Sequence, residues 1–165
     1  MNQQASSLLK APELRVSRWL NGYGRPCAPL KLADLGTGYR IIFCFQHWCP
    51  GCHSTGFTTM KRLVKALSPK GFGFAVVQTV FEGKEVNTFE RMRDAQLLYD
   101  LQVPFGYDAP ERGYPTIMSD YHTRGTPWFI VINPSGEPIY GGFTLDAEGL
   151  IASADYLSSV TTESA

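Results

Sequence analysis

The sequence predicts an α/β fold, a central sheet with helices on both faces. Three apolar runs, at 41–45, 72–80 and 128–132, alternate with two segments of helical periodicity, at 50–67 and 87–99. Runs without polar alternation mark strands covered on both faces, and their alternation with amphipathic helices is the order of a layered sandwich. With 165 residues, 44% of them hydrophobic, the chain is long enough for one substantial core and is expected to form one domain.

Residues 1–10 are polar, small and aperiodic, and are expected to be a disordered tail before a domain at 11–160. Leu14 and Val16 alternate with Arg15 and Ser17, which predicts a short strand, and the turn-rich stretch 21–29 leads to a second brief strand at 30–32. After the turn Gly36-Thr37-Gly38 comes the first buried strand, 41–45. Phe57, Met60, Leu63, Val64 and Leu67 then recur at three- and four-residue steps, predicting a helix over 50–67 that Pro69 and Gly71 stop. The run 72–80 is the second buried strand. Asn87 and Glu90 have the spacing of a capping box, opening a helix to Tyr99 with Phe89, Met92 and Tyr99 inward. Residues 103–107 read as a strand that Pro104 confines to an edge or a strand start. A loop at 108–113 and a brief helix at 115–121 follow. The third buried strand, 128–132, turns at Asn133-Pro134-Ser135-Gly136 into a hairpin partner at 137–143, and Leu150, Ile151, Ala154 and Leu157 mark a closing amphipathic helix.

The chemistry is concentrated in Trp48-Cys49-Pro50-Gly51-Cys52, where the first buried strand hands over to a helix. Two cysteines separated by two residues can close a disulfide across a first helical turn. The helix N-terminus, with its unpaired N–H groups and roughly half a positive charge, favours a thiolate there. Cys49 is thus the expected nucleophile, acidified below the roughly 8.5 of a free thiol, and Cys52 the resolving thiol. Proline is favoured at the first helical position, so Pro50 fits.

Fifteen Lys and Arg against fifteen Asp and Glu leave no net field to attract nucleic acid or anionic lipid, and neither is an expected partner. No apolar run approaches the roughly 18 residues of a membrane span, and the first ten residues lack the features of a signal peptide. The cytoplasm is the expected compartment, where Cys27 and Cys44 would remain thiols. For Cys44 the plain reading is a small buried hydrophobe; Cys27 is a candidate third redox thiol.

These residues resemble the thioredoxin superfamily, in particular its redoxin or TlpA-like branch, related to the AhpC/TSA peroxiredoxins. The resemblance rests on the Trp-Cys-x-x-Cys run behind a buried strand, on Gly125-Thr126-Pro127 before the strand at 128–132, and on the Asn133-x-x-Gly136 turn after it. It spans about residues 12–157 and implies a three-layer sandwich around a mixed sheet, with 80–114 as an inserted strand and helix. It also implies that Pro127 is cis and faces the dithiol; Thr126 beside it is then expected to hold an extended substrate segment, and Trp48 to cover the Cys49 sulfur and add to the docking surface, against a plain packing role.

The chain also departs from its relatives. The positions at which a peroxiredoxin carries proline and threonine ahead of its peroxide-reducing cysteine hold Ile42 and Gln46. Phe43 stands where thioredoxins have a buried acid, and Thr55 where some TlpA-like proteins have a glutamate. His47 and His53 are then the nearest titratable candidates for a proton path, against a plainer reading of both as exposed residues. Cys49 to His53 also spells the C-x-x-C-H of covalent haem attachment, which would need export. A zinc site of His47, Cys49, Cys52 and His53 would draw all its ligands from seven residues, whereas structural sites staple separated segments. His122 reads as a helix-end residue, and Tyr114, Tyr121 and Trp128 as core and rim.

The expectation is a thiol:disulfide oxidoreductase with no metal or organic cofactor. It would act on a disulfide-containing protein or small thiol substrate and be recycled by a thiol reductant. The alternatives are a thiol peroxidase with antioxidant activity and a redox-switched binding module.

Overall fold

The protein's structure, a computed structural model, describes residues 10–164 and the side chains of residues 10–156. The expected tail at 1–10 therefore lies outside the described residues except for Lys10, which is anchored: its Nζ donates to Ser135 O at 2.7 Å. Seven strands form one mixed sheet: β1 (Arg18–Leu20), β2 (Pro26–Cys27), β3 (Arg40–Phe45), β4 (Gly73–Thr79), β5 (Phe105–Asp108), β6 (Trp128–Ile132) and β7 (Pro138–Gly142). Their spatial order is β2-β1-β5-β4-β3-β6-β7. β3 and β5 run parallel to β4, while β1, β6 and β7 supply the antiparallel pairings.

The expected layers are present. On one face, Phe57, Met60, Leu63 and Leu67 of α1 (Phe57–Leu67) and Met92 and Ala95 of α2 (Phe89–Leu98) bury against Ile41, Phe43 and Phe45 of β3. The same core takes in Ala154 of the last helix, α4 (Ala147–Ser164). On the other face, Ile117 of α3 (Thr116–Tyr121) joins Ile42, Cys44, Ala75, Val77 and Ile130. Successive side chains of a strand point to opposite faces, so the apolar run 41–45 of β3 feeds both cores. The chain is an α/β three-layer sandwich.

Several local expectations are corrected. Leu14 and Val16 are buried, but the strand begins at Arg18, because β5 offers a ladder only to residues 18–20. The stretch from Leu32 forms a 3-10 turn, Leu32–Leu35, rather than a strand: the Asp34 carboxylate accepts from Lys31 N at 2.8 Å and Glu13 from Leu32 N at 2.9 Å. α2 is capped not by Asn87 but by Thr88, whose hydroxyl accepts from Arg91 N at 3.2 Å. Of the two places that Pro104 allowed, the strand start holds and the edge does not: β5 lies between β1 and β4, with Pro104 just before its first residue. The side chain of Leu157 lies outside the described residues.

Candidate active site

Five side chains were expected to form the site, and the sheet gathers them at one end. The helix carrying the dithiol starts at Pro50, directly after Cys49, at the carboxyl end of β3. β6 runs antiparallel to β3 with Trp128 opposite Cys44, a register that lands Pro127 at the same end. The Thr126–Pro127 peptide is cis. A Cβ on Gly51 would lie 3.5 Å from Pro127 Cδ and one on Gly56 3.3 Å from Pro127 Cβ, so the proline packs on the helix start between and behind the cysteines. Thr126 is half-buried beside it.

Cys49 and Cys52 are joined as a disulfide with Cα atoms 5.3 Å apart. Their environments differ: Cys49 is partly exposed and Cys52 fully buried. The backbone N–H of Cys52 donates to Cys49 Sγ at 3.2 Å. The helix dipole thus acts on Cys49 through a specific donor, one that favours negative charge on that sulfur. Immediately beyond, residues Cys52–Gly56 form a single π turn, with Phe57 N donating to Cys52 O.

The segment ahead of Cys49 is held by three buried amides. Gln78 Oε1 accepts from His47 N at 2.7 Å and Asn87 Oδ1 from Trp48 N at 3.1 Å, while Asn87 Nδ2 donates to Glu82 O at 3.0 Å. Gln46, with its amide nitrogen on Thr79 O and Glu82 O at 3.2 Å each, accepts from Trp48 Nε1 at 3.3 Å. The Trp48 ring lies over Gly83, whose φ of +59° and lack of Cβ both suit the contact: a Cβ there would sit 2.7 Å from the ring. Trp48 remains 44% exposed, enough to present surface beside Cys49.

Sequence reasoning missed this amide frame. The available signals were Gln78, a large polar residue inside an apolar strand, and Asn87, which matched a helix cap closely enough to hide its other use. A buried amide must have partners, and here those partners are the active-site backbone.

Both histidines are half-buried rather than exposed. His53 Nε2 contacts His47 O and its Nδ1 contacts Tyr99 Oη, each at 2.5 Å. Neither His53 ring nitrogen is left for a metal or free to take a proton from Cys52. Burial is the main reason that His47 is held below the ordinary histidine value, with nearby His53 and Arg91 adding to it. Among the other expected residues, Cys27 and Cys44 are free. Burial pushes the Cys44 thiol far up, as befits a core residue. His122 caps α3 at a φ of 57°. Trp128 is buried, Tyr121 half-buried and Tyr114 exposed.

No protein-family model matches the chain, and no curated protein does. Among solved structures, a thioredoxin-like superfamily protein is 31% identical with a TM-score of 0.77, the match covering 88% of this chain and 92% of that one. A thiol-disulfide isomerase from Corynebacterium glutamicum is 24% identical at a TM-score of 0.73, over 89% of this chain and 96% of its own. A thiol:disulfide interchange protein of the thioredoxin family from Chlorobium tepidum is 18% identical at 0.65, over 89% and 94%. The last two share the fold. The first, with its identity spread over nearly the whole of both chains, carries the assignment that the dithiol helix and the cis-proline strand point to: this chain belongs to the thioredoxin-like superfamily.

Proposed function

We propose that the chain is a thiol:disulfide oxidoreductase. The observation that carries the reading is the asymmetry of the pair: a partly exposed Cys49 whose sulfur receives a helix N–H, backed by a buried Cys52 within disulfide reach. In the reduced protein, Cys49 thiolate attacks one sulfur of a substrate disulfide. The substrate S–S bond breaks, an S–S bond to Cys49 forms, and the first substrate thiolate leaves to be protonated by solvent. Cys52 then attacks the Cys49 sulfur, its proton passing to solvent, and expels the second substrate thiolate, which solvent protonates. Two electrons pass to the substrate, and the pair ends as the Cys49–Cys52 disulfide.

Trp48 and Thr126 beside cis-Pro127 flank the sulfur as the substrate-binding surface, with Thr126 offering strand-like backbone bonds to an extended segment. A protein disulfide or a small disulfide suits this open site, and a thiol reductant would restore the dithiol. We place the protein in the cytoplasm; its unpaired Cys27 and Cys44 suit a reducing compartment, and among the described residues no helix is long and apolar enough to cross a membrane.

Cys52→Ser tests the reading. It is expected to leave Cys49 locked to its partner as a mixed disulfide on a non-reducing gel. A variant that captures no partner while the unmodified protein consumes peroxide rapidly would replace this reading with a thiol peroxidase.

A further inference from the structure

We infer that His53 is a positioning residue whose ring clips the disulfide loop shut from outside, by joining residues 47 and 53 around Cys49 and Cys52. The chemistry of its partners sets the tautomer of the neutral ring. The His47 carbonyl only accepts, so Nε2 carries the hydrogen and donates to it; Nδ1 is then an acceptor and takes the Tyr99 hydroxyl. Burial raises the Tyr99 phenol above its ordinary value, so the hydroxyl keeps its proton and remains a donor through the neutral range.

The clip has a firm anchor. Tyr99, at the C-cap of α2, stacks on the buried Phe57 ring at 4.2 Å between centroids and 10° between planes, and on the His53 ring at 5.7 Å and 29°. At the other end, the same His47 peptide unit is tied from above, its N–H donating to Gln78 and the next N–H to Asn87. The turn before Cys49 is therefore gripped through its donors by the sheet side and through its carbonyl by His53. Because His53 directly follows the buried Cys52, that last bond joins the two limbs that carry the sulfurs.

A hydrogen bond in parallel with the disulfide raises the effective concentration of one sulfur near the other in the reduced protein. Its loss makes the disulfide less stable and the protein more oxidising. With the net worth of a single hydrogen bond, the equilibrium constant for Cys49–Cys52 disulfide formation falls about three- to tenfold, and tenfold corresponds to about 30 mV. This rests on the dithiol exchange proposed above.

The test is equilibration of the full chain with glutathione redox buffers, read by thiol alkylation, for the unmodified protein and for His53→Phe, His53→Gln and Tyr99→Phe. His53→Phe removes both bonds and is expected to lower the constant about three- to tenfold. His53→Gln retains an N–H able to reach the His47 carbonyl and is expected to recover at least half of that loss on a logarithmic scale. Tyr99→Phe keeps the stacking and loses only the hydroxyl, and is expected to lie between. Should His53→Phe fail to fold, the other two decide: Tyr99→Phe lowered and His53→Gln lowered by no more than about threefold supports the clip, and an unchanged Tyr99→Phe or a His53→Gln lowered further overturns it. Variants that melt earlier in both redox states by equal amounts while the constant stays put reduce His53 to a packing residue and overturn the inference. No substrate is involved, so the two readings fail separately: a Cys49–Cys52 pair that does not exchange with glutathione at all sinks the oxidoreductase proposal, whereas an exchanging pair insensitive to His53 sinks only the clip.

Discussion

Replacing Gly51 and Gly56 by alanine, one at a time, isolates the crowding that cis-Pro127 and the aromatic core impose on the dithiol helix. Both glycines are helical, with φ and ψ of −65° and −29° at Gly51 and −59° and −55° at Gly56, so alanine gains about 0.5–1 kcal/mol at each from backbone entropy alone. The space differs. A Cβ at Gly51 meets only Pro127 Cδ at 3.5 Å, an ordinary contact. At Gly56 it meets Phe43 Cζ at 2.6 Å and Cε1 at 3.0 Å. The Phe43 ring cannot retreat, because Phe57 and Phe129 hold it at centroid distances of 5.0 and 4.9 Å. Overpacking of this kind costs about 1–3 kcal/mol. Gly51→Ala is expected to be slightly more stable than the unmodified protein, and Gly56→Ala less stable by up to about 2.5 kcal/mol. The difference between the two variants is the crowding itself, roughly 2–12 °C in Tm for a chain of this size. Thermal melts of both with the disulfide intact measure it. Equal melting temperatures would refute the close packing of Phe43 against the helix start.

Two further outcomes follow from the buried polar groups. Asn87→Ala leaves Trp48 N and Glu82 O without their partner, and is expected to cost about 1–3 kcal/mol in urea unfolding and to alter the alkylation rate of Cys49; an unchanged rate would mean that the amide frame does not hold Cys49. Asp108 is held above the ordinary carboxyl value of 3.8 by burial, against the opposing bonds from Ile117 N and Thr116. The folded state thus binds this proton more tightly than the unfolded chain, so ionised Asp108 opposes folding once the pH passes the unfolded value, and fully so above the folded one. Relative to Asp108→Asn, the unmodified protein is expected to lose stability as the pH rises above about 4 toward neutrality. A stability difference that stays constant over that range would contradict the burial argument.

The layers and the dithiol were legible from the chain alone because they rest on local signals. An all-apolar run such as 41–45 has nowhere to sit but between two cores, and the Cys-Pro-Gly-Cys run behind it carries the proline that a helix start favours. The short elements were not legible. Leu14 and Val16 alternate like a strand, yet a strand exists only where a neighbour supplies the ladder, and β5 supplies it from Arg18 onward. Asn87 carries the spacing of a cap, but Thr88 takes that role once the loop places Asn87 under Trp48.

What the sequence determined by itself was the position of two sulfur atoms at a helix start and the class of fold that presents them, since periodicity and helix-end electrostatics are properties of adjacent residues. Only the tertiary structure decided which groups surround those atoms. Gln46, Gln78 and Asn87 converge from three segments on one turn, and His53 finds Tyr99 at the far end of α2. Such contacts depend on strand order and register, which long-range packing sets and which leave no periodic trace along the chain.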